Sequence, residues 1–273
     1  MFVATADGNY ILARSAYFLR LPFDFYWLAL HSLEKYYKAV LLMNGLPAKD
    51  YRHDVVRLHE AVRQVAGSLL KTRFARPPTK GLRWFSESID EFVARLNRFG
   101  SAHNRYATYG YWLLDDELFK LDQLVWQVRR CCRPFYLEMP VAGGEPIRTN
   151  NKKLLDLNKR EWKVNAWPLE ELIEGPKDDP RRSTVLLFNV PFAPEKEHDL
   201  PLTFSASHAP PLVDWFRLLR ASTQDPKVEN SAARVLTWIG ENIDFGRKDR
   251  ELLEKALHDN RTARTLVGKP HTP

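Results

Sequence analysis

Apolar and polar positions alternate at helical spacing over the first 137 residues, and the residues between the stripes predict where each helix stops. Leu12, Ala16 and Leu19 recur at four- and three-residue steps and predict a first helix from about residue 7, stopped by Pro22. Asp24, an oxygen-bearing residue after a Pro-Phe pair, predicts the N-cap of a second helix, and Gly45 supplies a left-handed exit from it. Along that helix Leu30, Leu33, Tyr37, Val40 and Leu41 fall on one face, while His31, Glu34, Lys35 and Lys38 fall towards another. Glu34 and Lys38 stand at the i, i+4 spacing of a stabilising ion pair. Asp54 predicts the cap of a third helix, Val55 to about Leu70, with Leu58, Val62, Val65 and Leu69 inward and Pro77, Pro78 and Gly81 beyond its end. A fourth helix is expected from about Leu82 to Arg98, with Phe85, Ile89, Phe92, Val93 and Leu96 as its buried stripe, interrupted at Gly100. A fifth is expected from about Asp115 to Arg133, ended by Pro134.

The pattern changes after Pro134. Twelve of the eighteen prolines lie from Pro134 to Pro226, so long uninterrupted helices are not expected there. Thr184–Val190 reads as a buried strand and Pro201–Ser205 as a weaker one. Helices return at Leu212–Ala221, at Asn230 to about Ile243 with Asn230 as N-cap, and at Arg247–Leu257. The expected fold is mainly α: an up-and-down helical bundle over residues 1–137, then a smaller α+β region over 138–273 with no assigned role.

Composition narrows this picture. A chain of 273 residues that is 44% hydrophobic and 12% aromatic has enough apolar surface to fold, which excludes a disordered protein. The net charge of +7 suits anionic partners such as nucleic acid, nucleotides or anionic lipid, or simply a soluble basic surface. Cys131 and Cys132 are adjacent, which builds no disulfide framework and suits a reducing compartment. They are expected as small buried side chains on a helix, a vicinal redox pair being the alternative. The first residues lack the basic start and apolar run of a signal peptide, and no stretch approaches the ~20 apolar residues of a membrane span. A cytoplasmic protein without a membrane partner is expected.

The segment from Asp24 to Gly45 carries a more specific signal. It places His31, Glu34-Lys35, Lys38-Ala39 and an aliphatic run ahead of Gly45, and His53-Asp54-Val55 follows at the start of the third helix. Residues 7 to about 137 thereby resemble the HEPN family of small helical bundles, found in prokaryotic toxin systems, as nucleotidyltransferase partners and in RNA-processing enzymes. His31 stands where the family usually has Gln, and Arg105-Tyr106 matches a pair common before the last helix, although Ala107 replaces the proline that often follows. The resemblance implies a homodimer that binds RNA or a nucleotide. His31, Glu34, Lys35, Lys38, Arg105 and Tyr106 are the binding residues it suggests, and a nucleotidyltransferase or antitoxin is the protein partner.

The catalytic branch of that family resembles metal-independent endoribonucleases of toxin and defence systems, and has an Arg, four to six residues, then a His. Arg98-Phe-Gly-Ser-Ala-His103 fits. The resemblance implies attack of a ribose 2′-OH on the adjacent phosphate, with His103 moving a proton and Arg98 holding the developing charge. Arg52 with His59 and Arg264 with His271 fit the spacing too, and only position before the last bundle helix favours Arg98 and His103. Positions five apart on one helix point roughly 140° from each other, so a shared phosphate requires a break, for which Gly100 is placed, or a composite dimer site. Phe99 departs from the polar residue usual after the Arg, and a non-catalytic dimerisation or docking module stands as the alternative.

Other signals have ordinary explanations beside functional ones. His53-Asp54 fits two ligands of a metal-dependent phosphohydrolase or, without further ligands at suitable spacing, a helix cap. Tyr36, Tyr37, Tyr106, Tyr109, Tyr111 and Trp112 suit base stacking or a core. Arg129, Arg130 and Arg133 suit phosphate or the negative end of a helix. There is no Gly-rich phosphate loop, zinc-type cysteine pattern or Gly-x-Ser-x-Gly elbow, and neither metal nor cofactor is expected.

Overall fold

A computed structural model of the chain describes residues 2–79, 81–104, 110–140, 145–164, 167–194, 206–208, 211–220, 226–243 and 247–267. The protein is mainly helical and divides into two compact units, Met1–Ser101 with Leu113–Ala206 and Ala102–Trp112 with Ser207–Pro273. The boundary expected at residue 137 lies inside the first unit.

The first unit begins with helices α1 (Phe2–Phe18) and α2 (Pro22–Met43). Of the expected Leu12, Ala16 and Leu19 stripe of α1 only Ala16 is buried, Leu12 and Leu19 being 54% and 69% exposed. Val3, Ala6, Tyr10 and Ala13 lie inward instead, together with Asp7 and Arg14. The buried face mixes apolar residues with Asp7 and Arg14, which find internal partners, so hydrophobicity alone did not mark it out. Pro22 opens α2 as well as closing α1: Leu21 is the N-cap, and Asp24 sits in the first turn, where a carboxylate complements the helix dipole. At the far end Gly45 takes φ +74°, with Leu46 N–H donating to the Leu41 carbonyl and Gly45 N–H to that of Leu42. This is a Schellman turn, as the Gly45 exit predicts.

Helix α2 is the centre of the unit, packed by α1, α3 (Val55–Ala66), α4 (Ile89–Gly100) and α5 (Glu117–Arg130). Asp54 caps α3 by accepting the Arg57 N–H at 3.1 Å. Helix α4 starts at Ile89 rather than Leu82, because Ser88 and Glu91 form a reciprocal capping box there. Phe85, expected in the buried stripe, lies outside the helix and is 48% exposed. Its N–H donates to Asp116 at 2.7 Å.

Three seven-residue helices follow, α6 (Asn151–Leu157), α7 (Pro168–Glu174) and α8 (Pro180–Leu186), in keeping with the proline density. A short antiparallel hairpin, Tyr136–Met139 with Ile147–Asn150, precedes them. Helix α8 overturns the strand expected at Thr184–Val190. Asp179 accepts the Arg181 N–H at 2.9 Å and Pro180 fixes the first helical φ, which together start a helix. Phe188 then takes φ 57°, which no continuous strand accommodates.

The second unit contains α9 (Pro211–Arg220), α10 (Pro226–Asn242) and α11 (Arg247–Val267). Leu219, Ala232, Leu236, Ile239, Leu253 and Ala256 form its core. Helix α10 starts at Pro226 rather than at an Asn230 cap, Pro being suited to the first turn. The strand expected at Pro201–Ser205 falls outside the described residues. No described helix is long and apolar enough to cross a membrane.

Candidate functional site

The polar face of α2 closes on itself around Glu34. Lys38 Nζ donates to Glu34 Oε1 at 2.6 Å, His53 Nδ1 lies 3.0 Å from the same oxygen, and His31 Nδ1 lies 3.4 Å from Oε2. Burial by itself raises the pKa of Glu34. The hydrogen bonds of His31 and Lys38, with the charges of Lys38 and His53, outweigh it and hold the carboxyl at about 2. Lys35 reaches the side-chain oxygen of Asn9 at 3.3 Å when that amide is oriented to satisfy both groups. The His31 ring packs against Trp27 with centroids 4.2 Å apart. Among the described residues His31 Nε2 is buried without a hydrogen-bond partner. The structure thus brings His31, Glu34 and Lys38 together, and their charge is largely compensated from within. His53-Asp54 divides between this cluster and the α3 cap, and no group of three or more His, Cys, Asp or Glu suited to a metal occurs among the described residues.

His59 is a structural residue. It is buried, with Nδ1 2.8 Å from the Tyr37 hydroxyl and Nε2 3.0 Å from Asp90 Oδ1. Burial lowers its pKa against the pull of Asp90. One of the three Arg–His spacings is thereby explained by packing, and His271 of another lies outside the described residues.

Arg98 and His103 are both solvent-exposed. Helix α4 ends at Gly100, and Ser101 leaves with φ −72° and ψ 157°, so the two positions do not share one unbroken helix. Arg98 belongs to the first unit and His103, in a short turn over Ala102–Asn104, to the second. Gly100 sits directly on the backbone of α2, where a Cβ would overlap the Tyr26 carbonyl and Leu30. Phe99 is buried against Tyr26, centroids 5.2 Å apart, which gives an apolar residue after Arg98 a packing reason. Arg105 and Tyr106 lie outside the described residues. No family model, curated protein or solved structure matches the chain.

The basic end of α5 is divided: Arg133 donates to the Arg130 carbonyl at the helix's own terminus at 3.1 Å, as expected, whereas Arg129 and Arg130 serve the core. Arg129 is buried, donating from Nε to Asp7 Oδ1 at 2.8 Å and from Nη1 to Glu170 Oε1 at 2.9 Å. Tyr36 donates to the same Asp7 at 2.5 Å. Arg130 closes the end of α6, donating to the carbonyls of Leu155 at 2.6 Å and Asn158 at 2.7 Å. Cys131 and Cys132 are free and buried, and burial pushes the Cys131 thiol up to about 12. That environment suits inert packing.

A concave site that the sequence expectations missed is a cavity of about 480 Å³ in the first unit. One face of α5 supplies Phe119, Gln123, Trp126 and Gln127 to it, and segments 71–78, 160–162 and 190–194 supply the rest. The steps of four, three and one residues place those four on a single helical face, a signal present in the sequence. Read as a stripe it is indistinguishable from core.

Proposed function

We propose that the chain is a HEPN-like protein that binds RNA or a nucleotide and cleaves RNA without a metal. Arg98 supplies the fixed cation for the phosphorane-like transition state, and His103 moves the proton between the 2′-OH and the leaving oxygen. The observation that carries this reading is the end of α4 at Gly100 with Arg98 and His103 both exposed. Neither side chain is committed to the core, unlike His59, and the net charge of +7 favours a polyanionic substrate.

The test is incubation of purified protein with single-stranded and structured RNA in the presence of a chelator, beside Arg98→Ala and His103→Ala. The expected result is cleavage to 2′,3′-cyclic phosphate ends, reduced about 100-fold or more in the His103 variant. Equal cleavage by all three proteins, or none, overturns the endoribonuclease reading. RNA retained without cleavage, equally by all three, leaves a binding or docking module in its place.

A further inference from the structure

The cavity beside α5 has a composition that neither packing nor the proposed RNA chemistry requires. Its walls are aromatic: Phe119, Trp126, Trp162 and Phe192. Its cations are Lys71, Arg76 and Arg160, all exposed, and no carboxylate lines it among the described residues. Its volume falls within the range of small-ligand sites, which are mostly apolar with a few placed polar groups.

The cavity is also braced. The Ala75 backbone exchanges two hydrogen bonds with the Gln123 side chain, N–H to Oε1 at 2.9 Å and Nε2 to carbonyl at 2.8 Å. The Lys71 N–H donates to Gln127 Oε1 at 2.8 Å. The two glutamines clamp the 71–75 segment to α5 as a neighbouring strand would, which fixes one wall against the other. Arg130 lies over the Trp126 ring at 4.6 Å, and Phe192 meets Trp162 edge-on with centroids 5.5 Å apart. These contacts set the rings before any ligand arrives, so little side-chain ordering remains to oppose binding.

We propose that this cavity binds a small flat aromatic molecule carrying an anionic group, a phosphate or a carboxylate. The rings offer stacking surface, and the three cations offer charge-assisted hydrogen bonds to the anion at the rim. Because the amides of Gln123 and Gln127 are engaged by backbone, selection rests on ring and charge rather than on the hydrogen-bonding edge of a particular heterocycle.

Calorimetric titration of the full chain tests this with four probes: 5′-AMP, indole-3-acetate, adenosine and ribose 5-phosphate. The variants are Arg76→Glu/Arg160→Glu, Arg160→Lys and His103→Ala, each checked for unchanged circular dichroism. One-to-one binding of 5′-AMP, indole-3-acetate or both is expected, and which of them binds identifies the anion. Adenosine and ribose 5-phosphate are expected to bind roughly tenfold more weakly or not at all. The double charge reversal weakens binding by about tenfold or more, Arg160→Lys keeps most of it, and His103→Ala keeps all of it. Absence of saturable binding by both aromatic anions, ribose 5-phosphate binding as well as 5′-AMP, or binding indifferent to the double reversal overturns the proposal. Loss of 5′-AMP binding in His103→Ala assigns the ligand to the RNA site and overturns it as well.

Discussion

The first unit holds two populations of charge that composition counts as one. Inside, Arg129 is held by Asp7 and Glu170, and Arg14 by Asp122 with the carbonyls of Thr184 and Leu187. Lys120 lies between Asp116 and Glu87, and Arg95 between Glu87 and Glu117. Among the exposed cations are Arg98 and the three at the rim of the aromatic cavity. The inner set has its counter-charges built in and is largely closed to solvent, whereas the side chains of the outer set are solvent-exposed. The net charge of +7 counts buried and exposed cations alike, and only exposed ones are within reach of a partner.

The sharpest way to separate the two sets is to remove one cation from each. Arg129→Met leaves Asp7 and Glu170 buried without their guanidinium, and the expected loss is about 3–5 kcal/mol by urea denaturation. Arg98→Ala and His103→Ala, at the opposite extreme, should change stability by no more than about 0.5 kcal/mol while removing RNA cleavage. Between them falls Gly100→Ala, whose added methyl has no room against the α2 backbone and should cost about 1–3 kcal/mol. Glu34→Gln weakens a half-screened cluster, and about 1 kcal/mol at pH 7 is expected.

The pH dependence sharpens the same comparison because two glutamates oppose each other. Burial raises the Glu117 pKa to about 7 despite Arg95 and Lys120, and its Oε2 has no hydrogen-bond partner among the described residues. A carboxyl with a raised folded pKa contributes fully below its unfolded value of ~4.3, and the contribution is lost as pH rises through about 7. Glu34, held at about 2, contributes fully above ~4.3 and loses that contribution as pH falls through about 2. Denaturation midpoints across this range should flatten on the neutral side in Glu117→Gln and on the acid side in Glu34→Gln. Parallel profiles for both variants and the parent would refute this assignment.

Helix existence was legible in the sequence wherever a cap and an apolar stripe agreed, as at Asp54 for α3 and Gly45 for α2. It failed where polar residues lie inward. The inner face of α1 reads as a poor stripe because Asp7 and Arg14 occupy it, and their charged partners Arg129 and Asp122 are more than 100 residues away. Such pairings leave no local spacing to detect. The strand misread at Thr184–Val190 has the opposite cause, an aliphatic run whose helical start lies in Asp179 and Pro180 just before it. At the candidate site, the Gly100 break was visible as a glycine, while the compensation of the α2 charges by His53 required the tertiary fold.

The Arg129 cluster also bears on the order in which the chain is made. Asp7 is made before Arg129, but the second carboxylate arrives only with Glu170, and the carbonyl partners of Arg14 only with Thr184 and Leu187. A nascent chain halted at residue 137 has every helix around α2 in hand, yet its arginines lack those partners. Completion of the first unit thus waits on its most distant segment. A piece that keeps all of these partners extends to Leu187 or beyond.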